Sequence, residues 1–216
     1  MQGRERIVLL AAGECDPVQA QIEARKASRV IAVDAGWDVA RSVDLRVDLV
    51  VGDLDSVSPE GVAALRSSSI PTLEYPREKD ASDLELALDW ALAQRPFEIV
   101  ILGALGGRVD HALANIHLLE RGAAAGVDVR LESKTEAIRL IRDRFDLVDA
   151  RHGDVVSLLP ISEAARVTTQ GLRYALADQL LYRASSRGVS NVVDSLPVTL
   201  TISSGLVVAI HQRGTR

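Results

Sequence analysis

The chain has 216 residues, 47% hydrophobic and 25% charged, with a formal net charge of -5. That is ordinary globular composition with ample material for a core, and an acidic balance without a Lys/Arg stripe argues against nucleic acid as a partner. A single cysteine, Cys15, excludes an internal disulfide and fits a reducing cytoplasm, and no apolar run reaches the roughly 18 residues of a membrane span.

The N-terminal Met1-Gln2-Gly3-Arg4-Glu5-Arg6 leads into a short apolar run that soon meets Glu14 and Asp16, so no signal peptide is expected. Ile7-to-Ala12 reads as a strand ending at Gly13. Asp16-Pro17 opens a helix to about Ser28, with Asp as cap and Pro at the first helical position. Val30-to-Val33 is a second strand ending in Asp34-Ala35-Gly36, followed by a short helix over Trp37-to-Val43. Val47-to-Val51 is a third strand, which runs into Gly52-Asp53-Leu54-Asp55-Ser56. If Asp53 and Asp55 stay extended, their side chains point the same way. Two carboxylates roughly 5 Å apart repel by about 3 kcal/mol at an effective dielectric near 20, which a cation or a shared proton relieves. A solvated Asp-rich turn is the alternative.

Ser58-Pro59 starts a helix to about Arg66, and Thr72-to-Tyr75 is a short strand fenced by prolines. In Lys79-Asp80-Ala81-Ser82-Asp83-Leu84-Glu85, Ser82 and Glu85 form a capping box ahead of an apolar stripe. Asp80 and Asp83 then lie at the helix's positive end, and Lys79 beside them suits a metal-phosphate. Phe97-to-Leu102 is a strand, and Gly103-Ala104-Leu105-Gly106-Gly107-Arg108 turns into a helix whose expected buried face is Val109, Ala112, Leu113, Ile116 and Leu119. Asp110, His111 and Asn115 lie off that stripe. Glycine turns into helix N-termini bind anions, although neither standard phosphate-loop signature is present. Val127-to-Leu131 closes the alternation of strands and helices.

After about Lys134 the pattern changes to short strand-like runs: Ala137-to-Ile141, Val155-to-Leu159, Arg166-to-Thr169, Val198-to-Ile202 and Leu206-to-Ile210. Ser203-Ser204-Gly205 reads as a hairpin connection between the last two. The expected fold is therefore α/β, a doubly wound and mostly parallel sheet over residues 1–135, followed by a small all-β sandwich over 136–216.

Four segments in this order, Asp34-Ala35-Gly36, Gly52-to-Ser56, Lys79-to-Asp83 and Gly103-to-His111 with Asn115, resemble the thiamine pyrophosphokinases (thiamine diphosphokinases). Gly153-to-Pro160, Gly171-to-Leu176 and Ser190-Asn191 resemble that family's C-terminal, thiamine-contacting β-domain. The resemblance implies a homodimer with active sites between the catalytic domain of one chain and the β-domain of the other. It implies Mg²⁺-dependent conversion of ATP and thiamine to AMP and thiamine diphosphate. It assigns Asp53, Asp55 and Asp83 to the metal and reacting groups, and Arg108 and Asp110 to the phosphates. Asp34, Gly36, Gly52, Ser56, Lys79, Asp80, Ser82, Gly106, Gly107, His111 and Asn115 are expected around the nucleotide, and Ser190 and Asn191, with Asp83, at thiamine. Trp37 stands where the family usually has a second small residue, and no aromatic follows Ser190-Asn191, so the side chain that stacks on the thiamine ring is left unassigned. The rival readings are a metal-dependent phosphohydrolase with Asp53 as nucleophile, and a non-catalytic nucleotide- or thiamine-binding regulator.

Overall fold

The structure, a computed structural model, describes residues 5–214; the first four residues, part of the N-terminus read above as lacking a signal peptide, and residues 215–216 lie outside it. The chain forms two compact units, the first running to Lys134 and the second beginning at Thr135.

In the first unit, strands β1 (Arg6–Leu10), β2 (Arg29–Val33), β3 (Leu49–Gly52), β4 (Thr72–Glu74), β5 (Glu98–Leu102) and β6 (Asp128–Glu132) alternate with helices. The helices are α1 (Pro17–Lys26), α2 (Gly36–Ser42), α3 (Pro59–Arg66), α4 (Asp83–Ala93) and α5 (Val109–Ala125). All strand pairs are parallel, in the order β6-β5-β1-β2-β3-β4. β1 is buried along its whole length, as expected of a strand covered on both faces. Val8, Leu10, Val50 and Val100 pack on one face with Ala20 of α1, Trp37 and Ala40 of α2 and Leu65 of α3. The alternating residues Ile7, Leu9, Ile31, Ile99 and Ile101 are fully buried toward the other face. The chain walks outward from β1 to β4, then crosses back to β5 on β1's other side. Strand order thus reverses between β1 and β5, and ligands of such sheets bind outside the strand ends at that reversal.

The helix starts follow from local chemistry. Asp16 accepts the Gln19 N–H, Ser58 the Gly61 N–H and Ser82 the Glu85 N–H, with Pro17 and Pro59 at first helical positions. Trp37 is a core residue, its indole N–H donating to the Gly61 carbonyl at 2.8 Å. Below the sheet's core lies a closed ionic network. Arg6 bonds to Glu23 and Glu98. Arg130 bonds to Glu98, to Glu23 at 3.0 Å and to Glu132 at 2.5 Å.

The second unit is all antiparallel. Its strands are β7 (Glu136–Ile141), β8 (Arg144–Leu147), β9 (Val155–Pro160), β10 (Ala164–Gln170), β11 (Gln179–Tyr182), β12 (Asn191–Val192), β13 (Val198–Ser204) and β14 (Val207–Gln212). Order β12-β9-β14-β7 faces order β11-β10-β13-β8 across a core that includes Val156, Leu158, Val167, Leu181, Leu200 and Val207.

Two expectations are corrected. Ser203-Ser204-Gly205 is not a hairpin: β13 pairs with β10 and β8, whereas β14 pairs with β7 and β9. The turn carries the chain from one sheet to the other, so Leu200 and Val207 meet in the shared core. On α5, Leu119 is buried but Val109 is 72% and Leu113 55% exposed; the apolar stripe leaves the sheet at its N-terminal end. Among the described residues, no helix is long and apolar enough to cross a membrane.

Candidate active site

A cavity of about 500 Å³ opens at the carboxyl ends of β1, β2 and β5, at the strand-order reversal. Two close approaches build its floor. Gly36 lies so near β1 that a Cβ would come within 1.9 Å of the Leu10 carbonyl. Gly52, at φ +151, leaves β3 directly against Asp34, whose own Cβ would be 3.0 Å from an added one. Gly36 and Gly52 thus shape the backbone under the site and lie outside the cavity's lining.

Asp53 and Asp55 do converge, though not by strand alternation. Leu54 between them has φ +62, and the Asp53 carboxylate accepts the Asp55 N–H at 3.1 Å, an Asx turn. One carboxylate oxygen each from Asp34, Asp53 and Asp55 lies within 4.8 Å of the other two. Asp34 was expected at the nucleotide; here it is the third member of the acidic cluster. Lys79 bonds to Asp53 at 2.5 Å and lies 3.2 Å from Asp83 Oδ1. That second contact is an ion pair without hydrogen-bond alignment, since Asp83 Oδ1 is buried with no hydrogen-bond partner, as is Asp34 Oδ1. Arg77, not anticipated as a site residue, binds Asp55 Oδ2 at 2.9 Å and lines the cavity. Its only sequence signal is its place two residues before Lys79.

These contacts move the titrations in opposite directions. The hydrogen bond from Lys79 holds the Asp53 carboxyl below its ordinary range. Burial, with Asp83 and Asp53 adding like charge, pushes Asp34 up. Burial would lower the Lys79 ammonium, but its two carboxylate partners prevail and raise it.

Ser56, Lys79, Ser82, Asp83, Gly106, Gly107, Arg108, His111 and Asn115 line the cavity with Asp34. Asp80 is exposed, and Asp53, Asp55 and Asp110 lie outside the lining, the first two beside it through Asp34. Asp110 instead holds Arg108 in a two-point pair at 3.1 and 2.6 Å, both side chains well exposed. Asn115 donates to the Ala104 carbonyl at 2.8 Å, bracing the glycine turn. Arg108 is the N-cap of α5 but supplies no side-chain capping bond; Asp110 Oδ1 accepts the His111 N–H at 2.9 Å, and the N–H groups ahead of it are available to an anion. In the second unit Ser190 is exposed at φ +60, and Asn191 is buried.

The donor set fits a hard divalent cation such as Mg²⁺: three convergent carboxylates, with one buried oxygen on Asp34 lacking any partner. Lys79, Arg108 and the α5 N-terminus add positive potential for an anionic chain of phosphates.

Comparison with known proteins gives two family matches, thiamin pyrophosphokinase, catalytic domain, over residues 20–131, and thiamin pyrophosphokinase, vitamin B1 binding domain, over residues 144–207. The chain is 32% identical to the thiamine pyrophosphokinase of Bacillus subtilis over 84% of its own length and 86% of that relative's. The crystal structure of the thiamine pyrophosphokinase from Bacillus subtilis superposes with a TM-score of 0.87 at 26% identity, covering 98% of this chain and 100% of that one. A thiamin pyrophosphokinase family protein from Enterococcus faecalis gives 0.83 at 25% identity, covering 97% and 100%. The chain belongs to the thiamine pyrophosphokinase family.

Proposed function

We propose that the chain transfers the diphosphoryl group of ATP to the primary hydroxyl of thiamine, giving thiamine diphosphate and AMP, with Mg²⁺ required. The observation that carries this reading is that one cavity, lined by Asp34, Lys79, Asp83 and the start of α5, adjoins the carboxylate cluster that Asp34 forms with Asp53 and Asp55. Carboxylates alone would repel a polyphosphate, so the cluster makes sense around a cation. Magnesium, when bound, offsets charge on phosphate oxygens and carboxylates alike.

The chain's own residues then position the reactants, which is most of what phosphoryl-type transfer needs. Asp34, Asp53 and Asp55 would hold the cation, with Asp83 beside them. Lys79 and the planar fork of Arg108 would bind phosphate oxygens, Arg108 being released from its exposed pair with Asp110. The thiamine oxygen bonds to the β-phosphorus as the bond from that phosphorus to the bridging oxygen of AMP breaks. The hydroxyl proton passes to a carboxylate, and Asp83, whose Oδ1 has no aligned donor, is assigned that role. We read the working unit as a homodimer with each site shared between the α/β unit of one chain and the β unit of its partner. The exposed Val109 and Leu113 beside the glycine turn supply apolar surface for such an assembly.

Incubation with ATP, Mg²⁺ and thiamine tests the reaction. Equal amounts of AMP and thiamine diphosphate are expected, with no turnover in excess EDTA. Release of ADP, or of phosphate without an acceptor, counts against it, and a monomeric mass in light scattering removes the dimer.

A further inference from the structure

Arg77 joins the rim cluster in a different way from the site's other bases. Its Nε and Nη2 both donate to one oxygen, Asp55 Oδ2, at 3.1 and 2.9 Å. The pair is therefore not the two-oxygen fork in which arginine holds a carboxylate most firmly. The Arg77 side chain is 71% exposed and that of Asp55 36%, and an exposed pair of that kind contributes little and exchanges readily. Lys79, by contrast, is 14% exposed and lies between Asp53 and Asp83. Arg108 is paired with Asp110, which is not a member of the convergent cluster.

Asp55 is the acid that Arg77 keeps occupied. Its other oxygen, Oδ1, accepts the Ser56 hydroxyl at 2.9 Å, so both its oxygens carry a donor. Its backbone is fixed by the turn in which its N–H donates to Asp53 Oδ1 at 3.1 Å. A cation held by Asp34 and Asp53 gains the Asp55 carboxylate only in exchange for one of those donors, and the guanidinium is the one that competes by charge. Asp34, Asp53, Asp55 and Asp83 face Lys79 and Arg77 among the described residues, and a divalent cation makes up the difference. With that difference made up, Asp55 has little attraction left for Arg77. Arg77 already lines the cavity alongside Lys79, Gly107 and Arg108, so its long side chain reaches the space assigned to the phosphates.

We propose that Arg77 is an exchangeable counter-ion: it yields Asp55 to a divalent cation and moves onto the phosphate chain of the nucleotide. Arg77 thereby couples the two ligands, since binding of the first frees the guanidinium that the second uses. The inference rests on the Mg²⁺ and ATP reading above. It adds a residue whose removal moves the affinities for the two ligands in opposite directions.

The test is binding of Mn²⁺ alone to nucleotide-free protein, followed by EPR with Mn²⁺ as an oxygen-seeking probe, together with steady-state kinetics at saturating Mg²⁺. Arg77→Ala tightens Mn²⁺ binding about threefold. It raises the KM for ATP about tenfold and leaves the KM for thiamine within about twofold. Damage to the fold would weaken both ligands, so the opposite signs identify the exchange. The gain in Mn²⁺ affinity disappears when Arg77→Ala is made in an Asp55→Asn background; a gain that persists there in full is a field effect and overturns the proposal. Unchanged or weaker Mn²⁺ binding by Arg77→Ala overturns it too, as does a KM for ATP within about twofold of wild type. Should Asp55→Asn bind no Mn²⁺, the Arg77 Nε–H NMR signal of the wild type, assigned by its loss in Arg77→Ala, decides. It shifts on adding Mg²⁺ when the guanidinium leaves Asp55, and an unmoved signal overturns the exchange. Wild-type protein that binds no Mn²⁺ also overturns it. Wild-type protein that binds Mn²⁺ but forms no thiamine diphosphate sinks the functional reading instead, and the Mn²⁺ measurements still decide whether Arg77 and the cation exchange.

Discussion

The α/β unit gathers carboxylates in two places, and the two are balanced differently. Beneath the core, Glu23, Glu98 and Glu132 meet Arg6 and Arg130, with Lys26 on Glu23 at 2.9 Å, so among the described residues each acid has a base against it. At the sheet's carboxyl rim, Asp34, Asp53, Asp55 and Asp83 have, among the described residues, Lys79 and the exposed Arg77 as their basic partners. The first cluster is finished: each acid has a guanidinium, and Gln19 closes Glu132 at 2.9 Å. The second leaves two buried carboxylate oxygens without hydrogen bonds. Buried charges that are fully paired hold a structure together, and their loss is costly. Acids in excess of their partners fit the cation proposed for this site.

The largest expected effect separates these roles by activity. Asp53→Asn removes one of the three convergent carboxylates proposed to hold the cation, and turnover should fall by about a thousandfold, with stability changed by no more than about 1 kcal/mol. A variant retaining more than roughly a tenth of the wild-type rate would remove Asp53 from the metal's coordination. The interior should respond in the reverse sense. Glu23→Ala leaves Arg6 and Arg130 short of a carboxylate at a buried position, and unfolding in urea should show a loss of about 3 kcal/mol. The specific activity of the remaining folded protein should stay near wild type. A loss below about 1 kcal/mol would mean the network behaves as a solvated surface pair.

How well each cluster could be read from sequence also differs, for a physical reason. The rim was legible because its residues fall in short segments at strand ends: Asp34 after β2, Asp53 and Asp55 after β3, Lys79 and Asp83 at the start of α4. Even there the route was misjudged, because Leu54 at φ +62 brings the two acids together and a leucine carries no propensity for that conformation. The interior network was invisible: Arg6, Glu23, Glu98 and Arg130 come from different elements and meet only once the strands are in register. The same limit explains the β unit. Alternation found β9, β10 and β13, but the short β8, β11 and β12 gave too few residues for a period. Pairing across sheets, which moved β14 away from β13, leaves no local trace. The helical period on α5 found an apolar face without telling that the fold leaves Val109 and Leu113 uncovered.

A smaller effect probes the rim's second source of positive charge. Arg108 is exposed and occupied only by Asp110, so releasing it costs little and it can fork onto two phosphate oxygens. Arg108→Ala should lower kcat/KM for ATP about tenfold. Kinetics within about twofold of wild type would leave the phosphates to Lys79 and the α5 N-terminus. The fold should be indifferent to this change, since a surface pair contributes little.

The finest contrast is in protonation, where the two clusters should move opposite ways. Burial would raise Glu23, but hydrogen bonds and charge from Lys26, Arg6 and Arg130 outweigh it and hold its carboxyl below the ordinary 4.5. Its stabilising contribution is therefore present above that value and lost as pH falls through the lowered one. Asp34 is raised above its ordinary 3.8, by burial first and by Asp83 and Asp53 after. In the metal-free protein its contribution is fully present below 3.8 and lost as pH rises through the raised value. Carboxyl-carbon NMR titration of metal-free protein should find Asp34 taking its proton well before Glu23 on acidification. Added Mg²⁺ should draw the Asp34 titration down and leave Glu23 where it was, because only the rim has charge left for a cation to satisfy. An Asp34 that titrates at or below its ordinary range without metal, or ignores magnesium, would make the rim as closed as the interior and erase the distinction between them.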